Sequence, residues 1–140
     1  MANAVLKYEK NMTVTLKVAA AATILEGQEV GVDSSGNAVL AVNTGGAVIQ
    51  ALGNAVKGGK GSNNDYIAVA PVAEVGGYTG LTIGGTVYLG GTAGGVTQTR
   101  PTVATTAIQP IGQAISATKI AFVHTPYFAL AQAAATTTLG

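Results

Sequence analysis

ILEGQEVGV at residues 24–32, followed by DSSGN at 33–37, and LTIGGTVYL at 81–89, followed by GGTAGG at 90–95, are two copies of one pattern. In each copy a β-branched, apolar run leads into a cluster of residues that tolerate tight turns. The copies keep step further along the chain. IQALGNAV at 49–56 is matched by IQPIGQAI at 108–115, and each copy closes on a β-rich run with a proline, IAVAP at 67–71 and IAFVHTP at 120–126. A strand-turn-strand unit repeated without a chemically active set of side chains points to a structural module. Two copies are too few for a solenoid or propeller. They suit an all-β fold, one small β-barrel or sandwich with internally repeated strand-turn-strand units.

Outward from the repeats, NMTVTLKV at 11–18 alternates Met12, Val14, Leu16 and Val18 against Thr13, Thr15 and Lys17, the pattern of a half-buried strand. Residues 1–12, which include Lys7, Tyr8, Glu9 and Lys10, read as an extended N-terminal arm. In the first copy a strand around 29–32, a hairpin turn at 34–37 and a strand around 38–42 are expected, since Ser34, Ser35, Gly36 and Asn37 suit a tight hairpin. A strand over 48–56 follows, with Gly53 marking a bulge or a close approach. KGGKGSNND at 57–65 reads as an exposed loop, and its counterpart in the second copy is only Ser116-Ala117-Thr118. The long loop is therefore an insertion on one face of the first half. Good helix formers at 126–135 predict a short C-terminal helix. The expected organisation is an arm over 1–12, a single β domain over 13–128 with repeats at about 24–71 and 81–126, and a tail over 129–140. Turn signals divide the domain into about eight short strands.

Composition narrows the function. Charged residues make up 9% of the 140, against about 25% in an average soluble domain. Depleted charge marks surfaces that end against other subunits; the alternative is a weakly charged monomer of high intrinsic stability. A net charge of +1 gives no electrostatic ground for binding nucleic acid or a membrane surface. No apolar run reaches the length of about 18 residues that a membrane span needs, and MANAVLKYEK lacks the apolar stretch of a signal peptide. Cysteine is absent, which removes disulfides and thiolate metal sites.

Catalytic side chains are scarce. His124 is the single histidine, and the carboxylates are Glu9, Glu26, Glu29, Asp33, Asp65 and Glu74. Glu26 and Glu29 lie three apart, but in a strand-and-turn context that spacing does not bring them to one face. They are expected to be solvated turn charges, and His124 a capped or surface histidine, because a catalytic base needs an orienting partner and a target. GGKGS at 58–62 invites comparison with a phosphate-binding loop, but Asn54 stands where the first glycine belongs. Asn11-Met12-Thr13 has the form of a glycosylation acceptor, which is idle without secretion. Tyr88 and Phe122 fall on repeat strands and are expected in the core. The sequence gives no reason to expect an enzyme, a cofactor or a bound metal.

The series GLTIGGTVYL at 80–89, GGVT at 94–97 and QPIGQA at 109–114 resembles the small head decoration, or capsid cement, proteins of tailed bacteriophages. VDSSGNAV at 32–39 and ALGNAV at 51–56 are similar to the lambda-type decoration proteins. The resemblance covers about residues 24–124 and rests on turn glycines and short strands, while the 57–65 loop has no counterpart in it. It implies a virion structural protein, made in the host cytoplasm and located on the outer surface of the capsid. It further implies that the protein binds the major capsid protein, forms a homotrimer and cements the head. An arm suited to adding a strand to a neighbour's sheet makes Ala4, Val5, Leu6, Lys7, Tyr8, Lys10 and Met12 capsid-contact candidates. Lys57, Lys60, Asn63, Asn64 and Asp65 are loop-contact candidates. The alternative is a tail- or fibre-associated module that binds carbohydrate or a cell surface, to which Tyr66, Tyr78 and Tyr127 would contribute. A small hydrolase dependent on His124 is a third and remoter reading.

Overall fold

The computed structural model describes residues 13–44, 48–125 and 129–130. The strands of the first half are β1 (Val14–Lys17), β2 (Thr23–Ile24), β3 (Glu29–Val32), β4 (Ala38–Leu40), β5 (Gly53–Ala55), β6 (Gly59–Lys60) and β7 (Tyr66–Ala70). Those that follow are β8 (Val72–Val75), β9 (Thr86–Leu89), β10 (Val96–Thr97), β11 (Ala107–Ile108), β12 (Pro110–Ala114), β13 (Ile120–Val123) and β14 (Ala129–Leu130). Each half builds its own five-stranded antiparallel sheet, in the order β1-β7-β5-β3-β4 and β10-β9-β12-β13-β8. The chain is all-β, as its repeats imply. Neither sheet closes into a barrel among the described residues. A single parallel bridge, Val18 to Ala38, links the two outer strands of the first sheet at one end.

The turn chemistry explains the hairpins. Asp33 Oδ1 accepts from the backbone N–H groups of Ser35 and Asn37, both at 2.9 Å, and Gly36 adopts φ +82° between β3 and β4. The β9–β10 hairpin turns through Gly94 at φ +79°. Gly53 marks a close approach, not a bulge: a Cβ there would lie 2.5 Å from the Ala70 carbonyl oxygen on the adjacent strand β7. The irregular register lies instead in the second half, between Pro110 and Gly112, where proline has no N–H for the ladder.

Fourteen short strands occupy the described residues where about eight were expected, because glycines and prolines interrupt pairing inside the longer runs. The run at 48–56 is one such case, contributing only an isolated Ile49–Val42 bridge and β5. The 57–65 segment is not a plain loop: β6 pairs with β2, and a 3₁₀ turn covers Gly61–Asn63. The expected C-terminal helix is also corrected in part. Ala129–Leu130 is a strand pairing with β11, which recruits the chain into a ladder despite its helix-forming composition; the rest of 126–135 lies outside the described residues.

Two apolar clusters form the core. Val18, Ile24, Val30, Ala38, Ala55, Ile67 and Val69 fill the first. Val87, Leu89, Ile111, Ile120 and Phe122 fill the second, joined there by Ala41 and Ala51 from the first half. The halves are thus interlocked. Backbone bonds cross between them, with Glu29 N donating to Gly94 O at 3.0 Å, Gly94 N to Ala41 O at 2.8 Å, Asn43 N to Gly90 O at 3.0 Å and Ala107 N to Asn43 O at 2.9 Å.

Candidate functional site

The chemistry-bearing side chains gather where the halves meet. Glu29, at the start of β3, and His124, just after β13, come from opposite halves. Their side chains are 0% and 1% exposed, and His124 Nε2 lies 2.5 Å from Glu29 Oε1. His124 Nδ1 faces the Pro71 carbonyl oxygen at 2.9 Å, and the same oxygen accepts the His124 backbone N–H at 2.9 Å. Asn54 on β5 donates its Nδ2 to Glu29 Oε2 and to Gly27 O. Phe122 stacks on the imidazole with ring centroids 5.5 Å apart, and Tyr78 packs against Phe122 at 6.4 Å.

Burial pushes the Glu29 carboxyl above its usual range, with the bonds from His124 and Asn54 opposing that rise. Tyr78 is pushed up to about 12, by burial first and then by the negative charge of Glu29. These findings overturn one sequence expectation, since Glu29 is not a solvated turn charge; of the two expectations for His124, capped or at the surface, the structure has the ring capped by Pro71 O and Glu29. Each satisfies the other, which is how a buried charge becomes tolerable. In this arrangement both ring nitrogens of His124 are engaged within the protein.

Gln109 forms the second polar link between the halves. It is fully buried, and its side chain pairs with one residue of the first half like a short piece of strand. Oε1 accepts from Ala51 N at 2.8 Å, while Nε2 donates to Ala51 O at 2.9 Å and to Thr125 O at 3.3 Å. Asn43, also buried, donates to Leu89 O at 2.7 Å.

The other carboxylates serve local structure or solvent. Glu26 is exposed, Asp33 holds the β3–β4 hairpin, and Asp65 Oδ2 accepts from Lys60 N at 2.8 Å. Glu74 pairs with Lys119 at 3.5 Å on the surface, with both side chains more than half exposed, so the pair contributes little. Glu9 lies outside the described residues, as do the arm candidates Ala4, Val5, Leu6, Lys7, Tyr8, Lys10 and Met12.

The loop candidates Lys57, Lys60, Asn63 and Asn64 are exposed, and Asp65 is half-buried. The loop is held by Asn64 in the left-handed region at φ +58°, donating to Gly61 O at 2.9 Å, and by Gly61 N donating to Ala22 O at 2.9 Å. Those amides and that of Lys60 are bonded within the chain and do not point to an anion. Phe122 is buried as expected, whereas Tyr88 is half-buried.

Among the described residues, three depressions stand out. One of about 560 Å³ lies between β5 and β8, with Glu26, Asn54 and Glu74 in its lining. One of about 490 Å³ is lined by Val32, Ile49, Gln50, Leu52, Pro71 and His124, among others. A shallow one of about 300 Å³ carries Arg100 and several threonines. No group of three or more His, Cys, Asp or Glu side chains suited to a metal occurs among the described residues. The chain matches no protein-family model, and no curated protein is significantly similar to it.

Sequence reasoning missed the Glu29–His124 pair and the Gln109 link. A signal for the second was present: Gln50 and Gln109 occupy the same place in the two copies. For the first, no local pattern joins residues 95 apart in the chain.

Proposed function

We propose that this chain is a structural protein of a tailed-phage virion, decorating the outside of the head and cementing it by bridging major capsid protein subunits. The phage assignment rests on the resemblance of residues 24–124. The structural observation that favours a docking role is the apolar dressing of an outer strand. Val72 on β8 and Val123 on β13 stand opposite each other, each 56% exposed, and β8 ends its sheet. An outer strand presents unpaired main-chain groups. With apolar side chains beside them, it suits the addition of a strand from a neighbour. Leu25, Val32, Ile83 and Val103 are also exposed on a chain with few charges, as befits a surface that meets other subunits. His124, on which the hydrolase reading depended, is bonded to Glu29 and to Pro71 O.

Co-sedimentation of the purified protein with expanded, undecorated phage heads tests this reading, with light scattering to give the solution mass. Saturable binding at a fixed copy number per capsid subunit is expected, with a trimer mass before or after docking. Removal of residues 1–10 is expected to leave the fold intact and abolish binding. Full binding by the truncated protein would refute the role of the arm, and absence of binding by the whole chain would refute the decoration reading. The carbohydrate-module alternative draws less support. Of its three tyrosines, Tyr66 is exposed at 66%, Tyr78 is half-buried and Tyr127 lies outside the described residues.

A further inference from the structure

The Glu29–His124 contact can exist with only one proton count. A carbonyl oxygen only accepts, so the 2.9 Å approach of His124 Nδ1 to Pro71 O requires a hydrogen on Nδ1. The contact between Nε2 and Oε1 at 2.5 Å then requires one more proton, resting on either atom. Without it, a nitrogen lone pair would face a carboxylate oxygen where both side chains are almost entirely shut off from water. Oε2 is already committed to Asn54.

We propose that this contact is a proton-held joint. One proton shared by Glu29 and His124 locks the second half onto the first, and its release to water at alkaline pH frees the segment at 124–125. The direction of motion follows from the surroundings. Glu29 is fixed at the backbone on both sides, donating to Gly94 O at 3.0 Å and accepting from Ala41 N at 2.9 Å. His124 lies beyond the end of β13 and is held chiefly by Pro71 O, Glu29 and its stacking on Phe122. Repulsion is therefore relieved by the histidine side. His124, Thr125 and Pro71 line the depression of about 490 Å³ together with Val32, Gln50 and Leu52, so release of the joint opens one wall of that depression.

Among the described residues, few other groups can interfere. Tyr78 is the titratable side chain that senses Glu29, and it keeps its proton up to about 12. Asn54 from β5 and Phe122 from β13 carry no charge. On the neighbouring elements, Glu26 precedes β3 at the surface, and Glu74 on β8 is paired with Lys119 in solvent.

Glu29→Gln discriminates between a proton-held joint and an ordinary buried contact. A glutamine amide donates to a neutral Nε2, and its carbonyl accepts from Asn54, so the joint closes without a shared proton. The measurement is hydrogen exchange of the His124 amide from pH 5 to 10, corrected for the intrinsic pH dependence of exchange. In the natural chain, protection is expected to fall about tenfold per pH unit across the range where only the open form has lost the proton. In Glu29→Gln it should stay flat on the alkaline side of neutrality, where neither the open nor the closed form gives up a proton. Equal slopes in the two proteins, or flat protection in the natural chain, would overturn the proposal. Nitrogen-detected spectra of the imidazole ring in the natural chain provide a test that needs no variant. A hydrogen on Nδ1 with a strongly hydrogen-bonded Nε2 at neutral pH supports the joint, and the shifts of a free imidazole overturn it.

Discussion

Replacing Gln109 and Gln50 by leucine, one at a time, tests whether the repeat positions have the separate roles that the structure gives them. Leucine is close to glutamine in size but forms no hydrogen bond. At position 109 it strands the N–H and C=O of Ala51, a residue only 2% exposed, and weakens the support of Thr125 O. Two stranded buried groups at about 1–3 kcal/mol each cost about 2–6 kcal/mol, and the gain from the apolar side chain offsets about 1–2 kcal/mol of that, so Gln109→Leu should lose roughly 1–4 kcal/mol. That is a sizeable part of the 5–15 kcal/mol typical of a domain, and lowers the melting temperature by roughly 5–15 °C. Gln50 behaves oppositely. Its Nε2 is buried without an acceptor among the described residues. The residue matching Ala51 in the second copy is Pro110, which has no N–H to offer. Gln50→Leu removes an unsatisfied donor and should change stability by less than about 1 kcal/mol, or raise it. Urea unfolding of both variants, monitored by tyrosine fluorescence or far-ultraviolet dichroism, gives the comparison. Equal losses at the two positions, or a loss below about 1 kcal/mol for Gln109→Leu, would refute the reasoning.

Other perturbations have definite outcomes. His124→Ala leaves the Glu29 carboxyl buried without its partner and should cost about 3–5 kcal/mol in the same unfolding assay. Glu29 has its pKa raised from 4.5, so the folded chain keeps a proton that the unfolded chain gives up, and stability falls as pH rises. Urea titrations from neutral to alkaline pH should show the fall, at up to about 1.4 kcal/mol per unit. Gly53→Ala places a methyl carbon 2.5 Å from the Ala70 carbonyl oxygen, where only backbone can give way, and should cost about 1–3 kcal/mol. Gly36→Ala meets nothing within 4 Å and is opposed only by φ +82°, so calorimetry should show a loss nearer 1 kcal/mol.

What could be read from the sequence was whatever is encoded locally. Asp33 to Asn37 announces its hairpin because the aspartate and glycine supply both the bond and the positive φ. The two copies announce two similar sheets because each carries the same apolar run and turn. The alternation over 12–18 holds only in part: Val18 is buried, but Val14 on the outer strand β1 is 40% exposed. Strand count was less legible, since backbone pairing across a glycine-rich run depends on which neighbour arrives opposite it. Ala129–Leu130 shows the same override, as a run of helix formers is drawn into a ladder with β11. The candidate site was the least legible part. Glu29 and His124 are ordinary residues in their local contexts, and they become partners only when the two halves dock.

The repeat and the polar junction together explain why a nearly uncharged chain keeps one arrangement of its halves. Two similar small sheets with Ala- and Val-rich faces could slide against each other, because apolar contact is tolerant of register. Directional bonds are not. Gln109 accepts only a neighbour that presents N–H and C=O side by side, as Ala51 does. Had the second copy docked in the reverse sense, Gln50 would have met Pro110 and found half of that pair missing. Glu29 likewise accepts only a partner that brings a proton, and His124 is the single histidine in the chain. The copies are therefore alike where they form sheets and unlike where they meet. Specificity of docking between the halves comes from a handful of buried polar atoms.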